Sequence, residues 1–124
     1  MPNSRRILLV EDNKALRDII VVTLMDDFEI IEADRGTDAL KRARTRDPHL
    51  VILDLELPGG LDGISVCGLL KDGRQTRNIP VWVLTGYGDS LFEEVARSAG
   101  AEDYIVKPFS PRELLGKIYD LLGE

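Results

Sequence analysis

Four apolar runs in this 124-residue chain each end on a side chain able to do chemistry. Ile7-Leu8-Leu9-Val10 leads into Glu11 and Asp12, and Leu50-Val51-Ile52-Leu53 leads into Asp54. Val81-Trp82-Val83-Leu84 leads into Thr85, and Tyr104-Ile105-Val106 into Lys107. Three carboxylates gathered in one crevice repel one another. At about 4 Å and an effective dielectric near 20, each pair costs on the order of 4 kcal/mol. Protons or a cation must offset this, and hard oxygen ligands with open water positions suit Mg²⁺, with Mn²⁺ as the alternative. A divalent ion, the ammonium of Lys107 and the hydroxyl of Thr85 would together hold the three oxygens of a phosphoryl group. Phosphoryl transfer needs positioning and charge neutralisation more than covalent help, so this short set is chemically sufficient.

Whether those side chains meet depends on the elements that carry them. Each apolar run has strand length and is followed by residues recurring at helical spacing. Leu16, Ile19, Ile20 and Leu24 form the first such set. Phe28 to Ala33 reads as the second strand, and Ala39, Leu40 and Ala43 as a short helix stopped by Pro48. Ile64, Cys67 and Leu70 mark the third helix, and Leu91, Val95 and Ala99 the fourth. Ser110 is an N-cap, with Pro111 at the first helical position and Glu113 three residues after the cap. Leu114, Leu115, Ile118, Leu121 and Leu122 give the last helix its apolar stripe.

Five β-α units of this kind predict an α/β fold, a doubly wound five-stranded parallel sheet in flavodoxin-like order 2-1-3-4-5 with helices on both faces. That order makes strands 1, 3, 4 and 5 neighbours, and ligands in such sheets bind beyond the strands' carboxyl ends. The five polar side chains then converge on one crevice. Residues 1–124 are expected to form a single domain, without linker, repeat or low-complexity segment.

Composition narrows the function classes. The chain is 44% hydrophobic and 31% charged, which fits neither disorder nor a membrane protein. Apolar stretches such as Ile19-Ile20-Val21-Val22, broken by Thr23, fall far short of the roughly 20 residues of a spanning helix. A secretory leader is not expected, because no basic segment followed by an apolar run opens the chain. Cys67 is the single cysteine, which excludes an internal disulfide and fits a reducing, cytoplasmic setting. With 22 acids against 16 bases the net charge is −6, and the bases are scattered, which argues against direct binding of nucleic acid. Glycine-rich nucleotide loops are missing. His49 reads as a loop residue, while Cys67 and Trp82 read as packing.

The fragments Leu8-Leu9-Val10-Glu11-Asp12, Leu53-Asp54-Leu55 with Pro58 and Asp62-Gly63, Leu84-Thr85-Gly86, and Asp103 to Phe109 occur in order and at strand ends. In these the chain resembles the receiver domains of two-component response regulators over nearly its whole length. The resemblance implies that Asp54 accepts a phosphoryl group from a sensor histidine kinase or phosphotransfer protein. It implies Asp12, Asp54 and the backbone carbonyl of Glu56 as direct Mg²⁺ ligands, with Glu11 acting through water. Lys107 would pair with the phosphoryl group, and its bond to Pro108 is expected to be cis. Thr85 and Tyr104 match a switch pair, the hydroxyl moving to the phosphate while the ring turns inward. The fourth helix, fifth strand and fifth helix, with Arg97, Tyr104 and Tyr119, would form the responding surface, for an unknown downstream target or output domain or for a homodimer.

Two positions depart from the common pattern. The Pro58 to Gly63 turn is one residue longer than usual, a surface change that should spare the metal site. Glu56 and Tyr87, two residues after Asp54 and Thr85, occupy positions associated with the rate of phosphoryl loss, and Tyr87 is expected to hinder the attacking water. Three plainer or rival readings stand beside these. Glu11 and Asp12 would merely cap the first helix. A phosphatase of the haloacid-dehalogenase type also uses an aspartyl phosphate near Mg²⁺, although its nucleophile lies on the first strand and it needs room for a cap. A degenerate receiver that only binds a partner would lack part of the chemical set, whereas this chain has all of it.

Overall fold

The computed structural model describes residues 5–86 and 90–123, the side chains of 90–92 excepted. Strands β1 (Arg6–Val10), β2 (Glu29–Ala33), β3 (Leu50–Asp54), β4 (Val81–Thr85) and β5 (Asp103–Val106) alternate with helices α1 (Lys14–Leu24), α2 (Gly36–Arg46), α3 (Gly63–Asp72), α4 (Ser90–Ser98) and α5 (Pro111–Leu122). The sheet is parallel throughout in the order β2-β1-β3-β4-β5. This is the predicted flavodoxin-like arrangement.

Strand residues alternate between two cores, as the two-residue period of a strand requires. Ile7, Leu9, Leu50, Ile52 and Leu84 pack with Ile20 and Leu24 of α1 and Leu114 and Ile118 of α5. Leu8, Val10, Val51, Leu53 and Val83 face Ala39 and Ala43 of α2, Val66, Cys67 and Leu70 of α3, and Ala96 of α4. Every residue of β3 and β4 is buried, so their unbroken apolar runs reflect helices covering both faces.

The helix stripes read from sequence are wider than the surfaces that cover them. Ile19 remains 52% exposed and Leu121 42%. Helical spacing specifies the face a residue shares, not how far the sheet extends beneath it. Asn13, rather than either acid before it, caps α1, accepting from the Leu16 N–H at 3.1 Å. Ser110 caps α5 by accepting from the Glu113 N–H at 3.4 Å. Helix α2 ends on Asp47 in the left-handed region, one residue before Pro48. None of the helices among the described residues is long and apolar enough to cross a membrane.

Strand register levels the carboxyl ends. Val10 pairs with Leu53, Asp54 with Leu84, and Thr85 with Val106. Glu11 therefore leaves β1 beside Asp54, and Lys107 leaves β5 beside Thr85.

Candidate functional site

Four of the five side chains expected at the strand ends, Glu11, Asp12, Asp54 and Lys107, come together. One carboxylate oxygen from each of Glu11, Asp12 and Asp54 lies within 4.8 Å of the others. Asp54 is the last residue of β3 and only 4% exposed. Its Oδ2 accepts a hydrogen bond from Lys107 Nζ at 2.8 Å, and its Oδ1 accepts from the Glu56 N–H at 3.0 Å. The Lys107 ammonium also comes within 3.0 Å of Glu11 Oε1. That approach is an ion pair, and Oε1 stays buried without a hydrogen-bond partner among the described residues. Glu11 Oε2 accepts from the Asn13 N–H at 3.1 Å.

The two adjacent acids after β1 have opposite environments, Glu11 fully buried and Asp12 exposed. Burial, followed by a hydrogen bond shared with Asp54, pushes the Glu11 carboxyl up to about 7, against the opposing pull of Lys107 and the Asn13 N–H. Burial alone would lower the Lys107 ammonium, but its hydrogen bond to Asp54 and the nearby charges of Asp54 and Glu11 outweigh it and hold the group above its ordinary value. The arrangement is a carboxylate cluster, short of positive charge, with one ammonium spread over two acids.

The backbone behind Asp54 explains the Asp62-Gly63 pair. A Cβ on Gly63 would sit 2.2 Å from the Asp54 carbonyl oxygen and 2.5 Å from Leu55 Cα. Only glycine lets α3 start so close to the end of β3. Asp62 caps the helix, its side chain accepting from the Ser65 N–H at 2.8 Å, and that bond holds its carboxyl below the usual range.

A family model for the response regulator receiver domain matches residues 7–119. The chain belongs to that family. The receiver is 40% identical over 116 residues to the phosphate regulon transcriptional regulatory protein PhoB of Klebsiella pneumoniae, covering 93% of this chain and 50% of that protein. Against the DNA-binding response regulator MtrA of Mycolicibacterium paratuberculosis it is 37% identical, covering 92% of this chain and 49% of the relative. The chain thus spans about half the length of the curated relatives it matches. A solved receiver domain of a sensor histidine kinase from Pseudomonas aeruginosa, with a magnesium ion coordinated in its active-site cleft, superposes with a TM-score of 0.87 at 28% identity. It covers 98% of this chain and 99% of that one. A response regulator of Chloroflexus aurantiacus gives a TM-score of 0.90 at 29% identity, covering 98% and 100%.

Thr85 closes β4, is 2% exposed, and its carbonyl accepts from the Lys107 N–H at 2.7 Å. Glu56 is exposed, and the Lys107–Pro108 peptide is cis. Tyr87 lies outside the described residues. Tyr104 is half-buried on β5 with the Arg97 guanidinium 5.7 Å from its ring centroid. A bond to Glu93 raises its phenol above the ordinary value. Tyr119 does not join that face. Its hydroxyl donates to Asp27 and its ring packs 5.5 Å from Phe28, on the side where α5 meets α1. Asn13 and Arg17, which order the loop after β1, escaped the sequence reading because their partners are backbone groups and a glutamate on another strand.

Proposed function

We propose that this receiver takes a phosphoryl group on Asp54 from a phosphohistidine of a sensor histidine kinase or phosphotransfer protein, in a Mg²⁺-dependent reaction. The observation that carries the reading is the gathering of carboxylate oxygens of Glu11, Asp12 and Asp54 within 4.8 Å, with the Lys107 ammonium against two of the three acids. The donor set fits a hard divalent cation. Its atoms are carboxylate oxygens, and one of them, Glu11 Oε1, is buried without a hydrogen bond among the described residues. Asp12, Asp54 and the Glu56 carbonyl would hold the ion, with Glu11 beside them. When bound, it supplies the positive charge that the acids and the transferred oxygens need.

The chain's own groups do the rest. An Asp54 carboxylate oxygen attacks phosphorus as the P–N bond to the donor histidine breaks, leaving an acyl phosphate. The Glu56 N–H orients the nucleophile through Asp54 Oδ1. The Lys107 ammonium, already 2.8 Å from Asp54, neutralises a phosphoryl oxygen, and the buried Thr85 hydroxyl donates to another. Drawing Thr85 inward would leave room for the Tyr104 ring, which releases its Arg97 and Glu93 contacts and reworks the surface of α4, β5 and α5. Tyr87 would slow hydrolysis of the acyl phosphate.

This is a signalling switch that acts on itself rather than on a stream of substrates. The PhoB and MtrA names concern transcription and DNA binding in those proteins. With a charge of −6 this domain is poorly suited to a phosphate backbone, so we assign any such contact to a separate output part. Incubation with Mg²⁺ and acetyl phosphate should add one phosphoryl mass to the wild type and none to Asp54→Ala. The absence of an adduct with acetyl phosphate, and likewise with any cognate phosphohistidine donor, would remove the reading.

A further inference from the structure

Asp12 is the member of the acidic cluster that makes no hydrogen bond or ion pair among the described residues, and it is exposed. Its direction is therefore set by the backbone where the chain leaves β1. Two contacts fix that backbone. The Glu11 N–H donates to the Ala33 carbonyl at 3.0 Å. The Glu11 carbonyl, which shares its peptide plane with the Asp12 nitrogen, accepts from Arg17 Nη1 at 2.7 Å.

Arg17 is itself anchored at both ends. Its backbone N–H donates to the Asn13 carbonyl at 2.9 Å at the start of α1. Its Nε donates to Glu32 Oε1 on β2 at 3.0 Å, and its side chain is only 15% exposed. The planar fork of the guanidinium lets one side chain hold two acceptors in fixed relation. An ordinary surface ion pair would need only the Glu32 half of this. The carbonyl half reaches the peptide on which Asp12 depends.

We propose that Arg17 is a positioning residue for cation binding: braced on Glu32, it clamps the Glu11–Asp12 peptide and so aims the Asp12 carboxylate into the cluster. This rests on the divalent-cation reading of the site. It makes a prediction opposite in sign to simple electrostatics. A guanidinium near the acids disfavours a second cation through space, so removing its charge alone would tighten Mg²⁺ binding. Losing the clamp lets the peptide turn and weakens binding, by roughly tenfold or more if Arg17 acts like other groups that orient metal ligands.

The test is a Mg²⁺ titration of the full chain followed by amide NMR shifts, for wild type, Arg17→Met, Arg17→Lys, Asp12→Asn and the Arg17→Met/Asp12→Asn pair. Arg17→Met should weaken Mg²⁺ binding about tenfold. Arg17→Lys, which keeps the charge but loses the fork, should also weaken it and serves if the methionine variant does not fold. In the Asp12→Asn background Arg17→Met should have little further effect, since the clamp acts through Asp12. Unchanged or tighter binding in both Arg17 variants would overturn the proposal, as would an undiminished Arg17→Met effect without the Asp12 carboxylate. A wild type that binds no Mg²⁺ would instead remove the cation reading itself, and the proposal with it.

Discussion

Replacing Lys107 by methionine tests whether its ammonium is the counterion of the acidic cluster. The ammonium lies 3.0 Å from Glu11 and 2.8 Å from Asp54, whose side chains are 0% and 5% exposed. Breaking a buried ion pair while leaving the other charge stranded costs about 3–5 kcal/mol. The full amount is not expected here. The Glu11 carboxyl already sits at about 7, so near neutrality it discharges by taking up a proton at little cost. What remains is the hydrogen bond from the charged ammonium to Asp54, worth about 1.5–3 kcal/mol, and the 25% exposure of the Lys107 side chain favours the lower half of that range. Urea unfolding at pH 7 with EDTA should therefore show Lys107→Met destabilised by about 2 kcal/mol. Saturating Mg²⁺ supplies another cation to the same acids and should shrink the deficit markedly. An equal deficit with and without Mg²⁺, or none in EDTA, would refute the counterion reasoning. A deficit well above 3 kcal/mol would refute the proton uptake by Glu11.

Three further perturbations follow from the geometry. Because the Glu11 carboxyl is raised to about 7, the native state keeps a proton that the unfolded chain has lost. Stability without metal should then fall as pH rises from about 4.5 to about 7, Mg²⁺ binding should release protons below pH 7, and Glu11→Gln should abolish both trends. His49 has the opposite sign: burial first, then the charges of Arg6 and Arg5, lower its imidazole, and its Nδ1 accepts from the Arg6 N–H at 3.0 Å. Its contribution should be present above about pH 6.5 and decline below it as the unfolded chain protonates first, a decline missing from His49→Gln in a pH series of urea midpoints. Gly63→Ala should cost about 1–3 kcal/mol by forcing the Asp54 backbone to move, whereas Gly60→Ala, with nothing within 4 Å of its Cβ, should be close to neutral. Equal urea midpoints for the two alanine variants would contradict the close approach behind Asp54.

Much of this receiver is determined locally. The unbroken apolar runs of β1, β3 and β4 announce strands covered on both faces, and five β-α units with right-handed crossovers make an open doubly wound sheet the natural outcome, with 2-1-3-4-5 its usual order. That order puts Glu11, Asp12, Asp54, Thr85 and Lys107 at the carboxyl ends of the strands. Ser110, Pro111 and Asp62-Gly63 mark helix starts because caps and close turns depend on neighbouring residues alone.

Only the tertiary structure decided how the adjacent acids Glu11 and Asp12 divide, one buried at about 7 against Lys107 and the other exposed and unpartnered among the described residues. It also decided that Ile19 and Leu121 lie beyond the edge of the covered surface, and that Tyr119 turns toward Asp27 and Phe28 rather than toward Tyr104. The clamp from Arg17 to the Glu11 carbonyl and Glu32 belongs to the same class. In each case the deciding partner comes from another element. Spacing along a chain specifies which side chains share a face, whereas burial and charge depend on what the rest of the chain brings against that face.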